Sequence, residues 1–343
     1  MKITTPLIIA TAAVLPLASC SDHDPIDNPT RNLITFNASA PLSGRQVTTT
    51  EDLKDFKVWA FADGQLYMRD VTVNRTSEGW NYSPSMYWPS DAALNFYSYS
   101  PAIVTETQSD ETNPDIPGFI NGGKTDLLYA VNKGETRGDG NTSPVKINFR
   151  HALSQVRFLM RPRVAKAGGQ QLSVKVKALD LLGTYTAGSF DFPQGSTTIG
   201  NDIVGLWHSQ TSIANKNIFS GEQMLSTDDP KELNSTGYIF SIPQTLPQSN
   251  VDGTDYQGAY ARVLCEIYDR TSGVKVWPQN ADVDGAGYLY FPLSTNLTSA
   301  TEWQLGKAYR YTLNIDVPAA TSKIEFDVTV DEYPDFIELN TGN

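Results

Sequence analysis

The sequence predicts an all-β protein, and two observations carry this prediction. Short segments rich in β-branched and aromatic residues recur between clusters of glycine, proline, asparagine, aspartate and serine, which is the pattern of strands joined by turns. Apolar residues at the spacing of an amphipathic helix are scarce by comparison. Because the chain has 343 residues, more than one typical domain, we expect two tandem β-sandwiches.

The N-terminal segment has the features of a bacterial lipoprotein signal peptide. Lys2 precedes an apolar stretch at residues 6–17, which is too short to cross a bilayer as a stable helix. Residues 17–20 read Leu-Ala-Ser-Cys and match the lipobox, in which the cysteine is acylated. We therefore predict a signal peptide over residues 1–19 and a lipid anchor on Cys20. The alternative is an ordinary signal peptide that ends near a cysteine by coincidence.

Residues 20–32 are predicted to form a flexible tether after the anchor. They are polar and acidic and contain Pro25 and Pro29, so they bury too little apolar surface to fold. Folding is expected to begin near Leu33.

The first half of the mature chain contains a clear hairpin and several further strands. Residues 56–62 lead into the turn dipeptide Asp63-Gly64, and residues 65–68 begin the return strand. Pro101 ends another strand, because proline cannot donate to a ladder. The further predicted strands are residues 94–100, 126–130, 145–149 and 153–160. We predict that they form an N-terminal β-sandwich over residues 33–165 together with the hairpin.

The pattern breaks at residues 161–169, which are rich in proline, glycine and basic residues. We place the domain boundary there and predict a C-terminal β-sandwich with a terminal strand and tail over residues 166–343. Residues 194–231 have little strand character and are predicted to form a long loop or a short helix. The predicted strands of this domain are residues 172–179, 188–192, 238–242, 259–268, 288–291, 308–315 and 323–330.

Charge and cysteine content argue against nucleic acid as a partner and against a disulfide bond. The formal net charge of −12 becomes −13 when Lys2 leaves with the signal peptide, and this acidic balance argues against nucleic acid as a partner. With Cys20 lipidated, Cys265 has no disulfide partner, and strand alternation predicts that it is buried.

The sequence shows no recognisable catalytic or metal motif. His23 lies in the tether, while His151 and His208 have no flanking ligand residues, so we predict no catalytic residue, no metal site and no cofactor. His151 falls between two strand segments, where packing or hydrogen bonding in a turn explains it better. Residues 282–287 match part of a calcium loop but lack its later glutamate, and are predicted to form a hairpin turn. The Arg-Gly-Asp tripeptide at residues 137–139 is too short to assign a role.

Several stretches together resemble the fimbrillin family, the lipoprotein pilins of type V pili in Gram-negative anaerobes of the gut and mouth. The most specific stretch is residues 145–158, which read Val-Lys-Ile-Asn-Phe-Arg-His-Ala-Leu-Ser-Gln-Val-Arg-Phe. The others, in chain order, are residues 58–61, 87–89, 94–101, 126–130, 242–245, 303–311 and 324–330. The resemblance covers nearly the whole chain.

The resemblance implies two transthyretin-like β-sandwiches in a precursor anchored at the outer membrane and later displayed in a surface fimbrium. It also implies an arginine-specific processing protease, which removes the first strand so that a strand of another pilin subunit fills the vacated groove. Arg45 follows the first strand segment and is the predicted cleavage site. Arg31 is the weaker candidate, because a cut there leaves that strand in place. The predicted removable strand contains Leu33, Ile34, Thr35 and Phe36.

Residues 324–330 are predicted to be either a donor strand or the last core strand, and residues 333–339 form a possible tail that inserts into the next subunit. The apolar residues of this candidate donor strand and tail are Ile324, Phe326, Val328, Val330 and Phe336. Expected partners are other pilin subunits, the processing protease and a ligand on a host or bacterial surface. The alternative function is a non-polymerising surface lipoprotein that binds glycans or host proteins. Trp59, Trp88 and Trp303 lie within or beside strand patterns and are predicted to be core residues instead of sugar-stacking ones.

Overall fold

The computed structural model describes residues 33–40, 52–102, 111, 114–137, 143–165, 167–197, 203–211, 215–233, 238–249, 257–294, 301–318 and 326–332. Its regular secondary structure over these ranges consists of strands. These are β1 (Phe36–Ser39), β2 (Asp55–Ala62), β3 (Gln65–Thr76), β4 (Gly79–Tyr82), β5 (Leu94–Ser100), β6 (Asp115–Ile120), β7 (Leu128–Glu135), β8 (Val145–Asn148), β9 (Arg150–His151), β10 (Ser154–Pro162), β11 (Leu172–Leu182), β12 (Ala187–Asp191), β13 (Leu206–Thr211), β14 (Lys216–Leu225), β15 (Lys231–Glu232), β16 (Ile239–Ser241), β17 (Gln244–Thr245), β18 (Tyr260–Asp269), β19 (Lys275–Trp277), β20 (Gly287–Pro292), β21 (Glu302–Trp303), β22 (Lys307–Ile315) and β23 (Phe326–Glu332).

The predicted all-β class is confirmed, and so is the first hairpin. β2 and β3 pair antiparallel, and the two turn residues, Asp63 and Gly64, have φ angles of 50° and 75°. Positive φ at both positions is the mark of the turn whose twist matches a right-twisted hairpin. The described part of the chain contains no helix that could span a membrane.

A six-stranded antiparallel sheet forms the centre of the first half, in the order β4-β3-β2-β5-β7-β9. Both of its faces are apolar: along β2, Phe56 and Val58 join one core cluster, while Trp59 and Phe61 join another. Burial on both faces explains why residues 56–62 form an almost continuous apolar run in place of a strict alternation.

Two smaller sheets cover these faces. The parallel pair β1-β8 packs on the Phe56 face, and the three-stranded sheet β13-β12-β6 packs on the Trp59 face. On the second face, aromatic side chains make most of the contact, among them Tyr97, Tyr129, Phe190, Phe192 and Trp207.

The second half contains a sandwich of two five-stranded sheets. One has the order β15-β10-β22-β23, with β16 also pairing with β10, and the other has the order β14-β11-β18-β19, with β20 also pairing with β18. Their facing side chains form one apolar cluster, in which Cys265 is fully buried beside Val263 and Ile267, as predicted. Burial raises the pKa of the Cys265 thiol well above its ordinary value.

Residues on both sides of position 166 contribute to the same layers. β10 precedes that position but pairs in parallel with β22 of the second sandwich, and β6 pairs with β12 across it. The predicted domain limits at residues 165 and 166 stay a prediction, while these pairings join the two halves through shared sheets.

The prediction of a loop or short helix over residues 194–231 is wrong. β13 pairs with β12, and β14 pairs with β11 over most of its length. Both are edge strands whose side chains are mostly exposed, so their sequences lack the apolar alternation that marks a half-buried strand. Their ladders with β12 and β11, which leave no pattern in the sequence, hold them in place together with a few buried side chains such as Trp207 and Leu225.

Candidate subunit-assembly site

The first described strand, β1, is bonded to β8 in parallel register. Phe36 lies opposite Val145, and Ser39 lies opposite Asn148. At the two ends of the pair, the Val145 N–H donates to the Thr35 carbonyl at 2.8 Å, and the Phe149 N–H donates to the Ser39 carbonyl at 3.0 Å. β1 is therefore the only strand partner of β8 among the described strands.

Alternate side chains of this segment fill the first core. Ile34, Phe36 and Ala38 are 0%, 4% and 2% exposed. The Phe36 ring meets the rings of Phe56 and Phe96 edge-on, with centroids 5.8 Å apart in both pairs. The segment thus occupies an apolar slot between β8 and the central sheet.

The start of the segment is held by a loop that follows β4. The Ile34 N–H donates to the Met86 carbonyl at 2.9 Å, and the Tyr82 hydroxyl donates to the Ile34 carbonyl at 2.7 Å. Burial raises the pKa of Tyr82, so the hydroxyl stays protonated and able to donate. Leu33 forms a single bridge with Tyr87.

Removal of this segment would leave both polar and apolar groups without partners. The N–H groups of Val145 and Phe149 would lose their acceptors, and the Phe56 and Phe96 rings would lose the contact with Phe36. An extended chain with an apolar residue at every second position could replace all of these contacts at once, which is the chemistry of strand addition.

Of the predicted removable residues, Ile34 and Phe36 are buried in this slot, and Leu33 and Thr35 are half-buried. The roles of Cys20, Arg31 and Arg45 stay predictions, because these residues lie outside the described ranges.

The predicted donor residues lie partly within the described ranges. Ile324 and Phe336 are outside them. Phe326, Val328 and Val330 lie in β23, which pairs antiparallel with β22 and is the last strand in the order of its sheet. Their register partners on β22 are Leu313, Tyr311 and Tyr309. Their role as a donor stays a prediction.

The two described histidines have different environments. His151 lies in the short strand β9 and not in a turn as predicted. It is buried, and its Nδ1 lies 2.5 Å from Oδ2 of Asp126, which confirms the predicted packing and hydrogen bonding. His208 is exposed on β13, with Nε2 3.0 Å from Oδ1 of Asp191. A carboxylate oxygen of Asp115 on β6 lies near these two side chains, and one nitrogen or oxygen atom from each of the three residues lies within 4.8 Å of the other two. Sequence spacing could not reveal this cluster, because its members come from three strands.

Two weaker motifs have clear local structures. Residues 282–287 form a turn closed by a bridge between Val283 and Ala286, with positive φ at Asp284 and Gly285, so the predicted hairpin turn is confirmed. Arg137 is exposed, while residues 138 and 139 lie outside the described ranges.

The predicted core tryptophans are confirmed. Trp59 and Trp303 are 0% and 1% exposed, and Trp88 is partly buried against the first core. The Trp303 indole N–H donates to the Tyr311 hydroxyl at 2.9 Å, which satisfies its polar group inside the second sandwich.

Solved structures of fimbrial proteins align with most of this chain. A fimbrial protein from Bacteroides vulgatus has a similar solved structure, with a TM-score of 0.58 and 18% identity over 88% of this chain and 99% of that one. A fimbrilin (FimA) from Porphyromonas gingivalis gives a TM-score of 0.49 and 10% identity, over 90% of this chain and 98% of that one. The tip fimbrial protein Mfa3 from the same species gives a TM-score of 0.41 and 8% identity, over 88% of this chain and 99% of that one.

No curated protein has a significant match to this sequence. The sequence model described as fimbrillin-like matches residues 45–332, which is most of the chain. The structural likeness to the Bacteroides vulgatus protein supports the same fold. The chain therefore belongs to the fimbrillin-like family.

Proposed function

We propose that this protein is a structural subunit of a surface fimbrium that polymerises by donor-strand exchange and supports adhesion without a catalytic residue. Membership of the fimbrillin-like family supports the role of a pilus subunit. The observation that supports the exchange mechanism is the placement of residues 33–40: the alternate side chains of Ile34, Phe36 and Ala38 are buried, while β1 pairs with β8 alone among the named strands.

The free energy of burying this segment favours its replacement by another strand over an empty groove. Burying one large apolar side chain contributes about 1.5–3 kcal/mol, so losing Ile34 and Phe36 together destabilises the first core considerably. The exposed groove then favours any strand that restores the same contacts. Exchange between subunits becomes favourable once the subunit's own strand has been cut away.

Cleavage after Arg45 would disconnect the whole of β1 from the rest of the chain. It would also separate the subunit from the lipid on Cys20, so the proposed order of events is anchoring at the outer membrane, proteolysis and then incorporation into the fimbrium. The proposed donor is the C-terminal part of the chain that contains Phe326, Val328, Val330 and Phe336. β23 occupies the edge of its sheet, from which a strand can leave without breaking two ladders.

The test is controlled proteolysis of the soluble form that lacks residues 1–20. An arginine-specific protease is added, and the N-terminal sequence and the SDS-resistant size distribution are followed together. We expect one cut after Arg45, followed by ladders of subunits, and an Arg45→Ala variant should stay monomeric. Arg31→Ala is the matched control and should polymerise like the parent.

Either of two results would contradict the proposal. The protein could resist cutting after Arg45, or it could be cut there, release β1 and stay monomeric. To separate a failed exchange from a failed release, mass spectrometry measures whether the peptide that contains residues 33–40 leaves the cleaved protein.

Glycan binding without polymerisation is the second candidate function, and one feature favours it. On β20, Leu289 and Phe291 face the core, while Tyr288 and Tyr290 are half-buried on the opposite face. The Arg262 guanidinium lies 4.6 Å from the centroid of the Tyr288 ring. Aromatic rings beside a guanidinium offer stacking and hydrogen bonding to a sugar. A glycan array with the parent and a Tyr290→Ala variant tests this: signal lost in the variant supports it, and no signal from the parent rejects it.

A further inference from the structure

We propose that Asp115, Asp191 and His208 form a binding site for a divalent transition-metal ion, with Zn²⁺ as the best fit. The site lies on the outer face of the three-stranded sheet β13-β12-β6, far in sequence from the segment that carries the proposed exchange.

Strand register brings the three side chains together. Asp191 on β12 lies directly opposite Asp115 on β6, and on the other side β12 pairs with β13, with Ser189 opposite His208. Ser189 and Asp191 are two positions apart on one strand and so project from the same face. Phe190 between them packs into the core. The two carboxylates and the imidazole therefore share the outer face.

The distances suit a single small cation. One ligand atom from each side chain lies within 4.8 Å of the other two. Bonds from zinc to nitrogen or carboxylate oxygen are about 2.0–2.2 Å long, so tetrahedral ligands are about 3.4 Å apart. Small rotations about the side-chain bonds close this difference. The side chains of His208 and Asp191 are 42% and 44% exposed, which leaves an open path for an ion from solvent.

The chemistry of the donor set selects the kind of metal. One imidazole nitrogen and two carboxylate oxygens, with water at the remaining position, suit Zn²⁺ and similar first-row ions, whereas Ca²⁺ takes six or more oxygen ligands. The Ser209 hydroxyl lies 3.0 Å from Nδ1 of His208 and orients the ring so that Nε2 faces Asp191. Such an outer partner is typical of histidines that bind metals.

A bound cation would also act on the electrostatics and the cohesion of this sheet. Asp115 and Asp191 lie directly opposite each other on neighbouring strands, and a cation between them would reduce the repulsion between their carboxylates. Zn²⁺ would neutralise both carboxylates and link β6, which precedes position 166, to β12 and β13, which follow it. The expected consequence is a stiffer junction between the first core and the chain that leads into the second sandwich.

The experiment is a calorimetric titration of the purified, chelator-treated full-length protein with ZnCl₂. We expect one saturable site per chain that millimolar Ca²⁺ does not block. The variants His208→Ala and Asp191→Asn should each weaken binding at least about tenfold. Asp91→Asn, which makes the same change at an exposed position on the β4–β5 connection, is the matched control and should bind like the parent.

Two further measurements make the outcome decisive. Co²⁺ bound at an imidazole-containing site gives visible absorption bands, which should appear in the parent and be absent from His208→Ala. The melting temperature without metal should differ little between parent and variant, since exposed ion pairs such as that of His208 with Asp191 contribute little to stability. Only the parent should gain stability from Zn²⁺. Equal zinc affinity in parent and His208→Ala, or no saturable binding by the parent, overturns the proposal.

Discussion

The first core and the second sandwich contain strands that differ in how many neighbouring strands they pair with. The first core is completed by β1, four residues long, which pairs with β8 alone among the named strands. The second contains β22, nine residues long, which pairs with β10 on one side and β23 on the other. Both strands bury large side chains. The comparison teaches that burial determines how much a strand contributes to its core, while the number of its ladders determines how much backbone bonding is broken when the strand leaves.

The largest expected effect comes from emptying the slot. Phe36→Ala should lower the free energy of unfolding by about 3–5 kcal/mol, because the ring is buried against Phe56 and Phe96. Chemical denaturation of the uncleaved protein measures this loss. In protein from which residues 33–40 have been removed by cleavage, parent and variant should unfold identically. A variant that matches the parent before cleavage would mean that the slot is not filled by this ring.

A smaller effect tests the junction between the two regions. Lys216 on β14 donates to the Phe240 carbonyl, and burial lowers its pKa to about 8. Lys216→Met should stabilise the protein by about 1–2 kcal/mol at pH 7, because the buried charge is removed. The Asn121 amide still donates to the same carbonyl in the variant.

The pH dependence of this effect has a definite sign. Between a folded-state pKa of about 8 and the unfolded value of 10.5, the unfolded chain binds more protons at Lys216. The parent therefore gains stability from this group as the pH rises through that window, and the advantage of Lys216→Met should shrink. Thermal unfolding of both proteins at pH 7 and pH 10 measures it. An advantage independent of pH would contradict the assignment to a buried charge.

Removal of the Tyr82 hydroxyl should lower the free energy of unfolding by about 1 kcal/mol. Tyr82→Phe keeps the ring beside Phe36 but removes the hydrogen bond to the Ile34 carbonyl. We expect a small drop in the denaturation midpoint together with faster hydrogen exchange in residues 33–40. Tyr309→Phe, which loses the hydroxyl that accepts a hydrogen bond from the Gln304 N–H in the second sandwich, is the control and should leave exchange in residues 33–40 unchanged.

The smallest expected effect is no change at all. Cys265 is buried in the second sandwich, so a thiol reagent reaches it only when that sandwich opens. In the form that lacks residues 1–20, its labelling rate should be the same before and after loss of β1. A marked acceleration would show that the first strand also stabilises the second sandwich, and the contrast drawn above would fail.

Much of this architecture could be predicted from local signals. The Asp63-Gly64 turn specified the first hairpin, and Pro101 marked the end of β5, which spans residues 94–100 as predicted. Alternation along residues 261–268 placed Cys265 correctly in the core. In each case the deciding information lies within about ten residues of sequence, where the backbone rules for turns and strands act directly.

Other features depend on contacts that leave no local pattern. β13 and β14 are edge strands with exposed side chains, so only their ladders with β12 and β11 define them. The partner of β1 is more than 100 positions away in the chain, and no local sequence pattern indicates that this pairing is parallel. The cluster of Asp115, Asp191 and His208 was missed for the same reason, since its geometry is set by the register of three strands.

The parallel pairing of β1 with β8 bears on the symmetry of any polymer that uses the slot. A strand that takes over this place in the same direction enters each subunit from the same end, so every subunit receives a neighbour through one surface and inserts into the next through another. Contacts of this kind are heterologous, and they produce an open filament when the rotation does not close into a ring. The two ends of such a filament are chemically distinct, with an empty slot at one end and an uninserted strand at the other.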